Sequence, residues 1–445
     1  MQRISAIHRL PIFPAAGRRT DPQLLFPRPA LLDREAPFSF SSRSPMLSTL
    51  STVYRNPPIR VSAIAIFFFG FSGAATSPYL SIIGITELGL SDALYSALIL
   101  ASAVINVSAS VLIGIFSDRL GSYRAPMLFA SLFGITGFGL TYAVPTAGVF
   151  VASTLLLIPV FGALNSLIFA NVRASSKGMA VRDLIAVNSA VRATISLSWV
   201  LVPGLVGFFL ASRTSMLPAF LLASLSACVC FLLFFFFLPK TEVPPENRGN
   251  YAFLASLKEI GSRAVLVRVF AIALISAMLH VNSAVLPLVI TGNAGGTVAD
   301  VGVVVGIVAL LEIVFILFWG WFERRSTPVI TLACGGGIYA VYLLLLGFAQ
   351  TPAHVYALTL VSGLGAAAII SVPITYLQDL IAERAGLGSS LIAVNIFLSG
   401  GLSSLLFALG TGISDYSGTA ILGALAGLSG TLLVLALDGP LKRRM

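Results

Sequence analysis

Charge is what this sequence has least of. Only 10% of its 445 residues are Asp, Glu, Lys or Arg, against roughly 25% in a soluble domain. Hydrophobic residues make up 57%, and the mean hydropathy is +0.97. Charges this sparse cannot cover a water-facing surface, so most of the surface must meet an apolar phase, and the bilayer supplies one. Cysteine is almost missing. Cys228, Cys230 and Cys334 each sit in an apolar run, which excludes a disulfide or zinc framework and leaves them as small apolar filler. His8, His280 and His354 are far apart and show no metal-ligand spacing. Neither a metal nor any other cofactor is expected.

Catalytic signatures are missing too. Gly292-Asn293-Ala294-Gly295-Gly296-Thr297 is glycine-rich but lacks the Lys of a phosphate loop, so it reads as a short loop. No nucleophile elbow and no paired catalytic carboxylates stand out. An enzyme such as a membrane acyltransferase is therefore disfavoured. Any transport would draw on an ion or substrate gradient, not on ATP bound by this chain.

What is present is a repeating pattern of apolar runs about 20 residues long, the length that crosses a bilayer. They fall at 61–83, 93–116, 126–144, 149–171, 184–211, 217–238, 268–290, 301–322, 328–348, 354–376, 390–413 and 418–437. The expected fold is an all-α integral membrane protein with twelve transmembrane helices in two six-helix bundles. The bundles are placed at 55–238 and 268–440. A polar linker at 239–267 joins them, with Phe253, Leu257, Ile260 and Ala264 on one helical face and Lys258, Glu259 and Arg263 on the other. That pattern predicts an interfacial amphipathic helix. Residues 1–45 differ from the rest, with seven Arg, seven Pro and no Lys. They read either as a disordered leader or as an upstream mis-assigned start, with Met46 as the first residue. The second reading is preferred.

The basic residues set the expected orientation. Counting from Arg60, eighteen Lys and Arg fall on one side of the twelve runs, and Arg213 alone falls on the other. Arg192 lies inside a run. The positive-inside rule then makes the basic side cytoplasmic, with both termini there. The net charge of +10 follows from this topology and calls for no nucleic acid.

Between the second and third runs stands Gly114-Ile115-Phe116-Ser117-Asp118-Arg119-Leu120-Gly121-Ser122-Tyr123-Arg124. It resembles the signature loop of the major facilitator superfamily, and Gly114, Asp118, Arg119, Gly121 and Arg124 are taken as its gating residues. Ser122 stands where the superfamily usually has Arg; Arg124 is the nearest substitute. A weaker echo, Gly320-Trp321-Phe322-Glu323-Arg324-Arg325, follows the eighth run, as two parallel halves would give. Two further stretches resemble the bacterial sugar efflux transporter (Set) family: Asn188 to Val200 followed by Pro203, and Tyr376 to Gly386. The likeness covers residues 55 to 440. It implies export of sugars or glycosides in exchange for protons across the bacterial inner membrane. One departure is that Ser283 to Leu286, before Pro287, hold no carboxylate where that family has an Asp.

Arg192 in the fifth run and Glu312 in the eighth are the two charges deep inside spans. Such charges cost at least about 2.5–3.5 kcal/mol on insertion scales and are functional candidates by default. Their matching depths predict a contact across the two halves, with Glu312 as the proton carrier. The alternative is a purely stabilising pair. Asn106, Asn282, Asn395 and Gln378 are candidate ligands for sugar hydroxyls, with Asn165, Tyr79 and Tyr376 behind them. Each is weighed against a role as interhelical hydrogen-bond glue. His280 reads as a satisfied core residue. The expected partners are a small sugar or glycoside, protons and the lipid bilayer, and the expected state is a monomer. The rivals are a multidrug or metabolite exporter and a transport-inactive sensor on the same scaffold.

Overall fold

The computed structural model describes residues 56–120, 122–176, 178–179, 181–210, 212–213, 215–239, 262–380 and 385–439. The leader at 1–45 and the linker from 240 to 261, with most of the expected amphipathic helix, lie outside the described residues. Among the described residues, twelve helices are long and apolar enough to cross a membrane. They are α1 (Pro57–Thr76), α2 (Asp92–Leu120), α3 (Arg124–Ala143), α4 (Ala147–Ser175), α5 (Val181–Leu210) and α6 (Pro218–Phe237). After the linker come α7 (Arg263–Thr291), α8 (Val298–Glu323), α9 (Pro328–Leu346), α10 (Pro352–Asp379), α11 (Ala385–Ile413) and α12 (Tyr416–Asp438). All twelve expected runs are matched. The main shift is α7, which starts at Arg263 because the Ser262 hydroxyl caps it by accepting from the Val265 amide. Its first turn thus takes in residues 263–267 of the expected linker.

Local signals start most of these helices. Thr146, Thr297, Thr327, Thr351 and Asp415 are N-caps whose side-chain oxygens accept a backbone N–H three residues on. Pro57, Pro218, Pro328 and Pro352 stand in the first turn, where their missing N–H costs nothing. Thr297 and Asp300 make a full capping box at the start of α8. Asp415 sits outside the spans, and the Gly418 amide and Asn293 hold its carboxyl below the usual carboxylate range. Inside the spans, α4 widens into a π-helical turn at Ser153–Leu157, just before Pro159. The proline cannot donate, and the wider turn re-satisfies the carbonyls around it.

Packing follows one pattern twice. In the first half α1 lies against α4, α5 and α6, α3 lies against α6, and α2 against α4. In the second half α7 lies against α10, α11 and α12, α9 lies against α12, and α8 against α10. Adding six to each helix number reproduces the set, as a parallel repeat requires. The halves meet through α5 with α8 and α2 with α11. The arginines at 60, 124, 173, 268 and 324 mark one face of the molecule, here called the basic face. Gly89, Arg213, Gly295 and Asp415 mark the far face.

Candidate functional site

The two bundles are joined from mid-span to the far face. On α5 and α8, glycines let the backbones touch. A Cβ on Gly302 would lie 2.2 Å from the Pro203 carbonyl oxygen, and one on Gly207 would lie 3.1 Å from that of Ala299. The Tyr79 hydroxyl at the end of α1 donates to the Pro203 carbonyl at 3.0 Å. Between α2 and α11, the Ser96 hydroxyl donates to the Ser404 carbonyl at 2.5 Å. The Tyr95 and Phe407 rings meet edge-on at 5.7 Å. Nearer the far face, the Tyr416 hydroxyl donates to the Asp92 carboxylate at 3.1 Å. Among the described residues, the hydrogen bonds and ring contacts that cross between bundles lie in this half.

Just inside this closure is a cavity of about 170 Å³. Both bundles line it: Ser77, Ser102 and Thr154 from the first, His280, Ser283 and Ser403 from the second. Tyr95, Leu98, Ile99 and Phe150 form its apolar wall. Sequence reasoning placed His280 in a satisfied core, and the structure corrects this. The imidazole is exposed to the cavity and makes no hydrogen bond among the described residues. The sequence signal was the spacing of His280 and Ser283, which puts them on one helix face.

The residues singled out from the sequence separate into groups. Asn106 lies one turn from Ser102 on α2 and is exposed, so it continues the polar face of that helix away from the closed end. Arg192 is exposed on α5, and its guanidinium lies over the Phe169 ring at 5.5 Å. Glu312 is half-buried on α8, within electrostatic reach of Tyr339 on α9. The expected Arg192–Glu312 ion pair is not formed. Helices α5 and α8 do face each other, but they meet through glycines nearer the far face, and Arg192 turns to an aromatic ring of its own bundle. Asn282 accepts from the Tyr342 hydroxyl at 2.8 Å, and Asn395 donates to the Ser276 hydroxyl at 3.1 Å. Both bonds stay within the second bundle, as glue would. The Asn165 side-chain carbonyl oxygen is buried with no partner among the described residues. Gln378 is exposed at the basic end of α10.

Tyr376, beside it, belongs to a cluster the sequence did not reveal. Arg268 donates twice to the Asp438 carboxylate, at 2.6 and 2.7 Å, and the Tyr376 hydroxyl donates to it at 2.5 Å. This bidentate clamp ties the basic ends of α7, α10 and α12. Of the expected gating motif, Gly114, Asp118 and Arg119 form the last turns of α2 and not a loop. Gly121 lies outside the described residues. Arg124 opens α3, and its guanidinium donates to the Phe234 carbonyl at 3.1 Å and to that of Phe235 at 2.5 Å. It thus caps the end of α6, where carbonyls lack helical partners.

Comparison with known proteins places this architecture. Residues 22–186 match the family model described as Major Facilitator Superfamily. The chain is 25% identical over 333 residues to sugar efflux transporter C of Escherichia coli (strain K12), covering 74% of this chain and 82% of that protein. It is 26% identical over 370 residues to sugar efflux transporter A of Dickeya chrysanthemi, covering 81% and 92%. Among solved structures, the nucleoside transporter NupG superposes with a TM-score of 0.71 at 14% identity, over 86% of this chain and 99% of that one. A peptide transporter, POT, in complex with sulfate superposes with a TM-score of 0.69 at 15% identity, over 87% and 95%. These structures share the fold, and the sequence likeness runs to the sugar efflux proteins. The chain has the twelve-span architecture of a multi-pass membrane protein, and its sequence is similar to the major facilitator superfamily over residues 22–186 and to the sugar efflux transporters over about three quarters of its length.

Proposed function

We propose that this chain exports a small sugar or glycoside in exchange for protons across the bacterial inner membrane. The basic face is the cytoplasmic one, with both termini there, and the working unit is a monomer. The observation that carries the reading is the hydroxyl-lined cavity between the bundles, under a closed far face, in a chain similar to proteins named sugar efflux transporters. With that orientation, the far-face contacts make this the cytoplasm-facing state, in which an exporter loads.

Arg192 and Asn106, exposed on α5 and α2, offer donors along the path to the cavity. Glu312 is the carboxylate near mid-span among the described residues, so it carries the exchanged proton. Sugar displaces contacts around the two charges as the bundles rock. At the cytoplasmic end, Asp118 closes the return path by docking at the start of α11, whose free N–H groups favour an anion. Asn282, Asn395 and Gln378 belong to the same site in the alternate state.

The test is counterflow. Proteoliposomes of the full chain, loaded with unlabelled sugar, should take up a labelled sugar transiently from a panel of mono- and disaccharides. If none of the panel exchanges while a labelled hydrophobic cation does, the sugar reading gives way to a multidrug exporter.

A further inference from the structure

His280 is a polar side chain inside a span with no hydrogen-bond partner among the described residues. Exposed to the cavity, its ring nitrogens are free to meet a ligand, and an ionisable residue in a span is a functional candidate by default. Two residues on, Asn282 has its bond to Tyr342, so α7 carries one polar group spent on packing and one left over. Ser283, on the same face as His280, is likewise exposed to the cavity and makes no side-chain hydrogen bond among the described residues. Across the cavity, the Thr154 hydroxyl oxygen is buried with no partner among the described residues. It sits in the π-helical turn of α4, a feature found often at functional sites, and Thr154 is among the residues that line the cavity.

We propose that His280 and Ser283 bind one neutral, pyranose-sized, hydroxyl-bearing ring in this cavity, and that His280 sets its specificity. This rests on the sugar-export reading above. A neutral imidazole has one donor and one acceptor nitrogen, so it can bridge adjacent hydroxyls of a ring. The Ser102 and Ser403 hydroxyls donate to their own helix carbonyls at 2.9 Å each and keep lone pairs for a ligand. Tyr95 and Phe150 supply an apolar wall for the C–H face of the ring. The lining contains no Asp, Glu, Lys or Arg among the described residues, which disfavours a sugar phosphate or a sugar acid. The cavity, about 170 Å³, is smaller than the roughly 300–1,000 Å³ of pockets for drug-sized molecules. One ring fits, and a bulky amphiphile does not. In a glycoside, the second unit points toward the open half and Asn106.

The test uses the full chain in nanodiscs, with radiolabelled D-glucose, D-galactose and their methyl glycosides as probes. His280→Leu should weaken binding of the preferred sugar about tenfold, the scale of a lost buried hydrogen bond. His280→Gln should keep part of the affinity and change the ranking of the probes. Because His280→Leu can fail to fold, a second variant reports on the site itself. Ser283→Cys, made with Cys228, Cys230 and Cys334 replaced by Ser, should react with N-ethylmaleimide and be protected by sugar but not by tetraphenylphosphonium. Two results would overturn the inference and leave sugar export standing. One is sugar binding with unchanged affinity and ranking in both His280 variants. The other is a Ser283→Cys variant whose introduced thiol sugar never protects. If no probe binds or exchanges in the unaltered chain, the sugar reading itself falls and this inference with it.

Discussion

The Tyr79 hydroxyl donates to the Pro203 carbonyl at 3.0 Å, and a Cβ on Gly302 would lie 2.5 Å from that same hydroxyl. Three helices, α1, α5 and α8, therefore converge on one small contact, which exists only because residue 302 has no side chain. The Pro203 carbonyl, 2.2 Å from the added Cβ, is backbone and cannot swing away. Gly302→Ala should cost the closed far face roughly 1–3 kcal/mol, the usual penalty of overpacking. The expected outcome is a population shift toward the state open on the far face. It is read as a several-fold rise in labelling of a cysteine placed at Ala299 from that side. Unchanged labelling would mean that the glycine crossing does not hold the gate.

The Asp92–Tyr416 bond makes a milder lock. Interhelical hydrogen bonds in membrane proteins average about 0.6 kcal/mol. Tyr416→Phe should therefore raise far-face labelling only about threefold, and the stacked contact with Phe407 should survive. A tenfold or larger rise would show that the bond is cooperative with Ser96–Ser404.

All twelve spans were legible in the sequence because the bilayer imposes a length and a polarity that few other structures share. The Thr-Pro pair at 327–328 marks a helix start to the residue, while that at 351–352 starts its helix two residues before the apolar run at 354–376. The site was only half legible. Asn106, Arg192 and Glu312 were visible as polar groups in apolar runs, and all three are at least partly accessible. Asn282 and Asn395 look the same in sequence, and here they bond to Tyr342 and Ser276, while the Asn395 side-chain carbonyl oxygen is buried with no partner among the described residues. Which way a polar side chain faces depends on helix rotation, and the composition of a run does not encode rotation. His280 was misjudged for the same reason. The expected Arg192–Glu312 pair rests on matching depth and on two helices that face each other, and neither fixes the azimuth of a side chain.

Glu312 remains the test of coupling. Glu312→Gln removes the titrating group and keeps the shape. It should abolish sugar movement driven by a pH gradient and leave sugar–sugar exchange largely intact. Loss of both activities in a well-folded variant would assign Glu312 to substrate binding and not to the proton. Because Arg192 does not pair with Glu312 here, Arg192→Ala and Glu312→Gln should add in their effects on thermal stability, within about 0.5 kcal/mol. A larger coupling would mean the pair forms in solution.

Arg124 provides a purely structural prediction. Its two bonds to the Phe234 and Phe235 carbonyls tie α3 to the end of α6. Hydrogen bonds to charged groups contribute about 1.5–3 kcal/mol, and partial exposure reduces that. Arg124→Gln should lower the melting temperature in detergent by a few degrees, with Arg124→Lys falling between. No change would mean that other groups satisfy those carbonyls.

The central claim is outward movement of sugar in exchange for protons, and inverted inner-membrane vesicles test it most directly. With an acidified lumen, vesicles containing the chain should accumulate the labelled sugar selected by counterflow. The accumulation should collapse when an ionophore dissipates the pH gradient, and Glu312→Gln vesicles should not accumulate it at all. Accumulation that ignores the gradient would contradict proton exchange. Binding of the sugar with no flux in either direction would contradict transport itself and leave a sensor on a transporter scaffold.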